Sequence, residues 1–251
     1  MKWILFFSCW AFFLEAEILQ TKEIKDLLQH VNERTWVFFD IDDTILTSSY
    51  EAGRTEYYLF DFNQLKEQGM EDDLVHEICR LRWEQMQNAY PVKCMELNTK
   101  EVVHQVQNLA GYAIGLTARG PQTCETTKKH LHSLGLDFSC SAPLVINGDL
   151  LHRHLYDSGI WFVEFNHKGL AVRQWLNTLD EYPEKIVFVD DRRVHLENME
   201  KELAGLPIEY IGVHYAKVLE RPFNPRIAQI QGEFFPQILS NEEAQRYSDA
   251  Q

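Results

Sequence analysis

The chain has 251 residues, 45% hydrophobic and 25% charged, which is enough to bury a full core and excludes both a minimal peptide scaffold and a disordered polyelectrolyte. Its formal net charge of -14 and pI of about 5.1 repel nucleic acid and anionic lipid and argue against a polyanion partner. Salt screens such a field beyond roughly 8 Å, so a small anion held by local cations or a metal ion stays open.

At the N-terminus a single Lys precedes an apolar run from Trp3 to Leu14, too short to span a bilayer and of secretory-signal length. Residues 1–16 are therefore expected to direct export to the periplasm or beyond and to be removed, leaving no stable membrane insertion. The competing reading is a retained helix packed on the domain, which would keep the protein cytoplasmic. Cys79, Cys94, Cys124 and Cys140 then remain, an even number that suits disulfides in an oxidising compartment, with three possible pairings. They form no CxxC pair, so no structural zinc site is expected.

Short runs rich in Val, Ile and Phe alternate with stretches of helical period. The runs are Thr35 to Phe39, Tyr112 to Leu116, Leu144 to Ile146, Ile160 to Phe165, Lys185 to Val189 and Ile208 to Val213. This alternation predicts an α/β fold, a Rossmann-like parallel sheet with helices on both faces. Between 47 and 98 lies a segment with its own helical pattern, notably Glu71 to Ala89, bounded by Tyr90 and Pro91. It reads as a small, mainly helical cap inserted after the first strand, with Tyr57, Tyr58, Phe60, Phe62 and Trp83 as its core. Residues 17–46 and 99–240 are then the core domain and 241–251 a tail.

Ligands of parallel sheets bind beyond the carboxyl ends of the strands, where strand order reverses. Three runs end in chemically useful groups: FFD at Asp40, IGLTARG at Thr117, and IVFVDD at Asp190 and Asp191. Lys168, in FNHKG, follows another run and opens a helix continuing through Leu170, Val172 and Trp175. Groups at equivalent ends of one sheet converge in space.

DIDDT, LTARG, HKG and VDD, in that order from Asp40 to Asp191, resemble the four motifs of the haloacid dehalogenase superfamily of aspartyl phosphotransferases. Within it the pattern is most similar to small bacterial acid phosphatases and a related group of exported bacterial proteins. The resemblance implies Asp40 as the nucleophile that forms an aspartyl phosphate, and Asp42 as the general acid and then base. It implies Thr117 as a hydroxyl for a phosphoryl oxygen and Lys168 as the ammonium that orients the nucleophile. It also implies Mg²⁺ held by Asp40, the main-chain carbonyl of Asp42, and Asp190, with Asp191 as a further ligand or a holder of bound water. The expected activity is hydrolysis of a small phosphorylated metabolite. The alternatives are phosphotransfer to another acceptor, as in mutases, and an exported interaction protein without turnover.

Each signal also has a plainer reading. Asp40, Asp42 and Glu51 match a calcium loop at its first, third and twelfth positions, but Ile45 stands where glycine is required and a strand precedes. Asp43 reads as a solvated turn residue or a cap, and Thr44 as fixing the turn. Arg119 either reaches the substrate or pairs with a surface carboxylate. His130 with His132, and His152 with His154, are two apart and share no helix face, so surface or core roles outweigh metal binding. His167 and His195 lie beside the matched motifs, where the same plain roles compete with a substrate contact.

Overall fold

A computed structural model describes residues 16–145, 154–164 and 167–250. In chain order its strands are β1 (Ala16–Thr21), β2 (Thr35–Phe39), β3 (Leu46–Ser48), β4 (Val92–Cys94), β5 (Tyr112–Thr117), β6 (Leu155–Asp157), β7 (Ile160–Phe162), β8 (Lys185–Asp190) and β9 (Glu209–Tyr215). Seven of them form one sheet in the order β1-β9-β8-β2-β5-β7-β6. Every neighbouring pair is parallel except β6 with β7. β3 and β4 form a separate antiparallel hairpin.

β2 is buried on both sides because it is apolar at consecutive positions. Val37 and Phe39 face a core shared with α3 (Thr99–Leu109) and α4 (Cys124–Ser133), while Phe38 faces one shared with α5 (Lys168–Leu176) and α6 (Arg193–Leu203). Helices on both faces of a mostly parallel sheet are the Rossmann-like arrangement expected from the alternating runs. After β2 the chain moves to β5 and β7 on one side, then to β8 and β9 on the other. The reversal of order falls at β2, so its carboxyl end stands at the switch point where such sheets bind ligands.

The insertion follows β2 and the hairpin strand β3, and holds α1 (Thr55–Glu67) and α2 (Asp72–Ala89). Tyr58, Phe62, Leu65, Val75 and Cys79 pack between these helices, whereas Tyr57 and Phe60 turn towards Phe223 and Gly232. Trp83 leaves the insertion's core altogether and lies over Arg119. The insertion is buckled to α7 (Pro225–Phe234) and α8 (Asn241–Asp249). Gln231, fully buried, accepts from Ala52 N at 2.9 Å and donates to Leu239 O and Asn241 Oδ1 at 3.0 and 2.9 Å. Arg54, 2% exposed, donates to the carbonyls of Arg221 and Pro222 from the same side.

Several expectations need correction. Within the stretch read as a tail, Asn241–Asp249 form α8: Ser240 and Glu243 make a reciprocal capping box, and Ala244 packs with Ile227, Ile230 and Leu239. The strand of the main sheet that precedes the insertion is the second and not the first, because β1 adds an edge strand beside β9. The N-terminal segment assigned to export lies outside the described residues apart from Ala16, which opens β1. Leu144 and Val145 are exposed and not in a strand, and Ile146 lies outside the described residues, as does Phe165 at the end of the next run. That run forms strand only over Ile160–Phe162. The four cysteines from Cys79 to Cys140 are free thiols, with Cys79 and Cys124 buried beside Asp61 and Asp157.

Gln231→Leu preserves volume but leaves the Ala52 N–H without its acceptor. The substitution should cost about 1–3 kcal/mol, read from urea unfolding. An unchanged midpoint would mean that the buckle carries no stability.

Candidate functional site

The FFD run ends as a strand at Phe39, and the Asp40 N–H extends the ladder by donating to Val189 O at 2.9 Å. The chain then doubles back. Ile45 N and Leu46 N both donate to Ile41 O, and Asp43 N donates to Leu46 O at 2.7 Å. Asp43 takes φ of 56°, a left-handed conformation that aspartate tolerates better than most residues. It is a turn residue as expected, but buried and not solvated; burial first, then the neighbouring Glu56, raises its carboxyl to about 6. Thr44 does more than shape the turn, since its Oγ accepts from Asp191 N at 3.1 Å and ties the β2 loop to the β8 loop.

Lys168 opens α5, and His167 caps that helix by accepting from Leu170 N at 3.0 Å. His167 therefore has a structural role. Gly169 lets α5 approach α6 closely: a Cβ there would lie 2.8 Å from Asn198 O. The approach brings the Lys168 ammonium over the strand ends, 2.6 Å from Asp40 Oδ1 and 2.8 Å from Asp190 Oδ2. Asp190 also accepts from Arg192 N at 2.8 Å and from His195 Nδ1 at 2.9 Å. His195 thus orients Asp190.

Asp40, Asp190 and Asp191 each offer a carboxylate oxygen within 4.8 Å of the others. Burial works against Lys168's charge, but Asp190 and Asp40 outweigh it and hold the ammonium above the ordinary lysine value. Burial likewise opposes ionisation of Asp190, and Lys168 with His195 overcome it, so this carboxyl is lowered. The other two are left undercompensated. Burial, only partly offset by Lys168, raises Asp40 to about 7; burial together with the charges of Asp40 and Asp190 raises Asp191 to about 9. Three carboxylates share one ammonium and one histidine. An all-oxygen donor set with surplus negative charge fits a hard divalent cation such as Mg²⁺.

Thr117 ends β5, two residues beyond Gly115, which pairs with Phe39. Its buried hydroxyl accepts from Arg119 N at 3.1 Å. Arg119 pairs with a carboxylate, as one of its two readings had it, but the carboxylate is Asp42 and not a surface group. Its Nε and Nη2 hold Asp42 Oδ2 and Oδ1 at 2.8 and 2.7 Å. The Asp42 carboxylate is consequently turned to Arg119, and among the described residues the carboxylate cluster that could hold a cation here comprises Asp40, Asp190 and Asp191. Gln87 accepts from Arg119 Nη2 at 3.0 Å. Gln87 belongs to no motif; the available signal is its spacing of four from Trp83, which sets both on one face of α2. A cleft of about 440 Å³ opens elsewhere, between α1, α2 and α7, and none of the motif residues lines it.

Residues 17–245 match a family described as a protein of unknown function, DUF2608. The chain belongs to this family. A Chlamydia pneumoniae protein named "Putative outer membrane protein" is 26% identical to this DUF2608 chain over 250 residues, covering 96% of it and 95% of the relative. Proteins of the same name from Chlamydia muridarum and Chlamydia trachomatis are 23% and 21% identical, covering 96% and 90% of this chain and 94% and 88% of theirs. No solved structure matches the DUF2608 chain. Among its described residues no helix is long and apolar enough to cross a membrane.

A carboxyl whose folded-state pKa is raised contributes stability that is complete below its unfolded value and is lost as pH rises through the folded one. For Asp40 and Asp191 that loss runs from the ordinary value of 3.8 up to about 7 and about 9. Between about pH 4 and about pH 9 the metal-free protein should lose thermal stability, and Asp191→Asn should lose less over the upper half of that window. Added Mg²⁺ should raise the wild-type melting temperature most at the alkaline end. Equal pH slopes for wild type and Asp191→Asn would show that the carboxylates are not crowded.

Proposed function

We propose that this DUF2608 chain is a Mg²⁺-dependent phosphomonoester hydrolase of the haloacid dehalogenase type, acting on a small phosphorylated metabolite through an aspartyl phosphate. The observation that carries the proposal is the Lys168 ammonium between Asp40 and Asp190 at 2.6 and 2.8 Å, with Asp191 beside them. These groups come from separate segments of the chain, and each lies at the end of a strand or the start of a helix where its motif leads one to look.

In this reading Asp40 attacks phosphorus while the bond to the leaving oxygen breaks. Lys168 holds the attacking carboxylate in place and offsets its charge. The Thr117 hydroxyl offers a hydrogen bond to a phosphoryl oxygen, and Asp42 handles the protons, first for the leaving oxygen and then for the water that frees Asp40. Asp40, Asp190, Asp191 and the main-chain carbonyl of Asp42 would hold Mg²⁺. When bound, the ion supplies positive charge against the phosphoryl oxygens.

The relatives' name and the apolar run of Trp3 to Leu14 together support action outside the cytoplasm, in the periplasm or at the surface. The fork from Arg119 onto Asp42 favours a second reading, a phosphate-binding interaction protein without turnover, because it occupies the carboxylate that catalysis needs.

Release of phosphate from p-nitrophenyl phosphate separates the two. Asp40→Asn and Lys168→Met should each lower the rate by on the order of 10³-fold or more. EDTA should abolish it and Mg²⁺ restore it. Equal rates for wild type and Asp40→Asn would remove the hydrolase proposal and leave the binding protein.

A further inference from the structure

Gln87 is 3% exposed on α2, within the insertion. Its amide nitrogen donates to Gly53 O at 2.8 Å, and its amide oxygen accepts from Arg119 Nη2 at 3.0 Å. The same guanidinium donates from Nη1 to Thr127 Oγ at 2.9 Å and from Nε and Nη2 to both oxygens of Asp42. Its central carbon lies 5.4 Å from the centroid of the Trp83 ring. The Arg119 side chain is wholly enclosed, whereas that of Asp42 is 26% exposed. A guanidinium presents its donors in one plane, so whatever fixes the plane fixes the carboxylate in its fork.

We infer that Gln87 is a positioning residue for Asp42, acting through Arg119, and that this clamp tunes the site to phosphate esters whose leaving group departs as a stable anion. The inference rests on Asp42 being the acid and base of the proposed hydrolase. While both its oxygens accept from Arg119, the Asp42 carboxylate is held against the guanidinium and is not free to turn to a leaving group. As Asp40 bonds to phosphorus, the electron pair of the broken bond goes to the leaving oxygen. An aryl oxide departs with that pair and needs nothing more. An alkoxide needs a proton in the same step, and only an Asp42 released from the fork can supply it. One buried amide of the insertion thus acts, through Arg119, on the group that decides which esters react.

The test compares p-nitrophenyl phosphate with glycerol phosphate in wild type, Gln87→Met and Gln87→Glu. Gln87→Met removes the acceptor and should raise the ratio of alkyl to aryl kcat/KM, which reads the leaving-group step before the shared aspartyl phosphate, by roughly tenfold, part of the 10²–10⁴ that general acid catalysis supplies. KM for both esters should stay within about twofold of wild type. Gln87→Glu keeps an acceptor for Arg119 and should restore the wild-type ratio. An unchanged or lower ratio in Gln87→Met overturns the inference.

A second measurement does not depend on turnover. Urea midpoints for Gln87→Met, Asp42→Asn and the double variant should be non-additive, because Arg119 joins two residues it bonds separately. Additive midpoints overturn the relay. If wild type hydrolyses neither ester, the hydrolase proposal and the leaving-group preference fall together, and the midpoints alone decide whether Gln87 positions Asp42.

Discussion

The arrangement depends on one buried ammonium. Lys168 bonds to Asp40 at the end of β2 and to Asp190 at the end of β8, and both carboxylates are almost completely enclosed. Enclosed carboxylates in such proximity are tolerable only with cations among them, since an unpaired buried charge costs several kcal/mol. The ammonium is delivered by the start of α5, whose height over the sheet is set by the Gly169 contact with α6. Without that close approach the ammonium would be withdrawn from Asp40 and Asp190, and Asp190 would keep only Arg192 N and His195 as donors among the described residues. Packing at one end of a helix thus sustains the electrostatics of the site.

Much of this was legible in the residues. Period-two and fully apolar runs mark the central strands, and the carboxylates at their ends point to a site through their company with Thr117 and Lys168, since a single acidic pair closing a strand reads equally as a turn or a helix cap. What escaped follows its own logic. β1 offers only Ala16, Ile18 and Leu19 as apolar residues, next to the strongly apolar run Trp3 to Leu14, so its strand character is masked. α8 buries a single alanine and has almost no apolar face; the spacing of Ser240 and Glu243 was the signal to follow. The cysteines carried no geometric information in their spacing.

The Asp42 fork was illegible for a different reason. DIDDT presents three aspartates that look alike on paper, yet they have three fates: one bonded to lysine, one gripped by arginine and one folded into a turn. Two of those fates are decided by residues far along the chain, Lys168 and Arg119, and the third by a local turn that brings Asp43 N to the carbonyl of Leu46. Composition identifies such a cluster, and only the fold distributes its roles. Trp83 and Gln87 show the same limit, because a helix face can be read from spacing while the element opposite cannot.

The hydrogen bonds that join Gln231 to Ala52, Leu239 and Asn241 have a bearing on how such a chain diversifies. An insertion free at one side can drift in sequence and explore new shapes independently of its host. Here the roof and the carboxyl-terminal helices share a buried amide, so a change in one is felt in the other. Relatives that acquire a different insertion are then expected to carry matching changes in their last two helices, a paired pattern of variation linking segments distant in sequence.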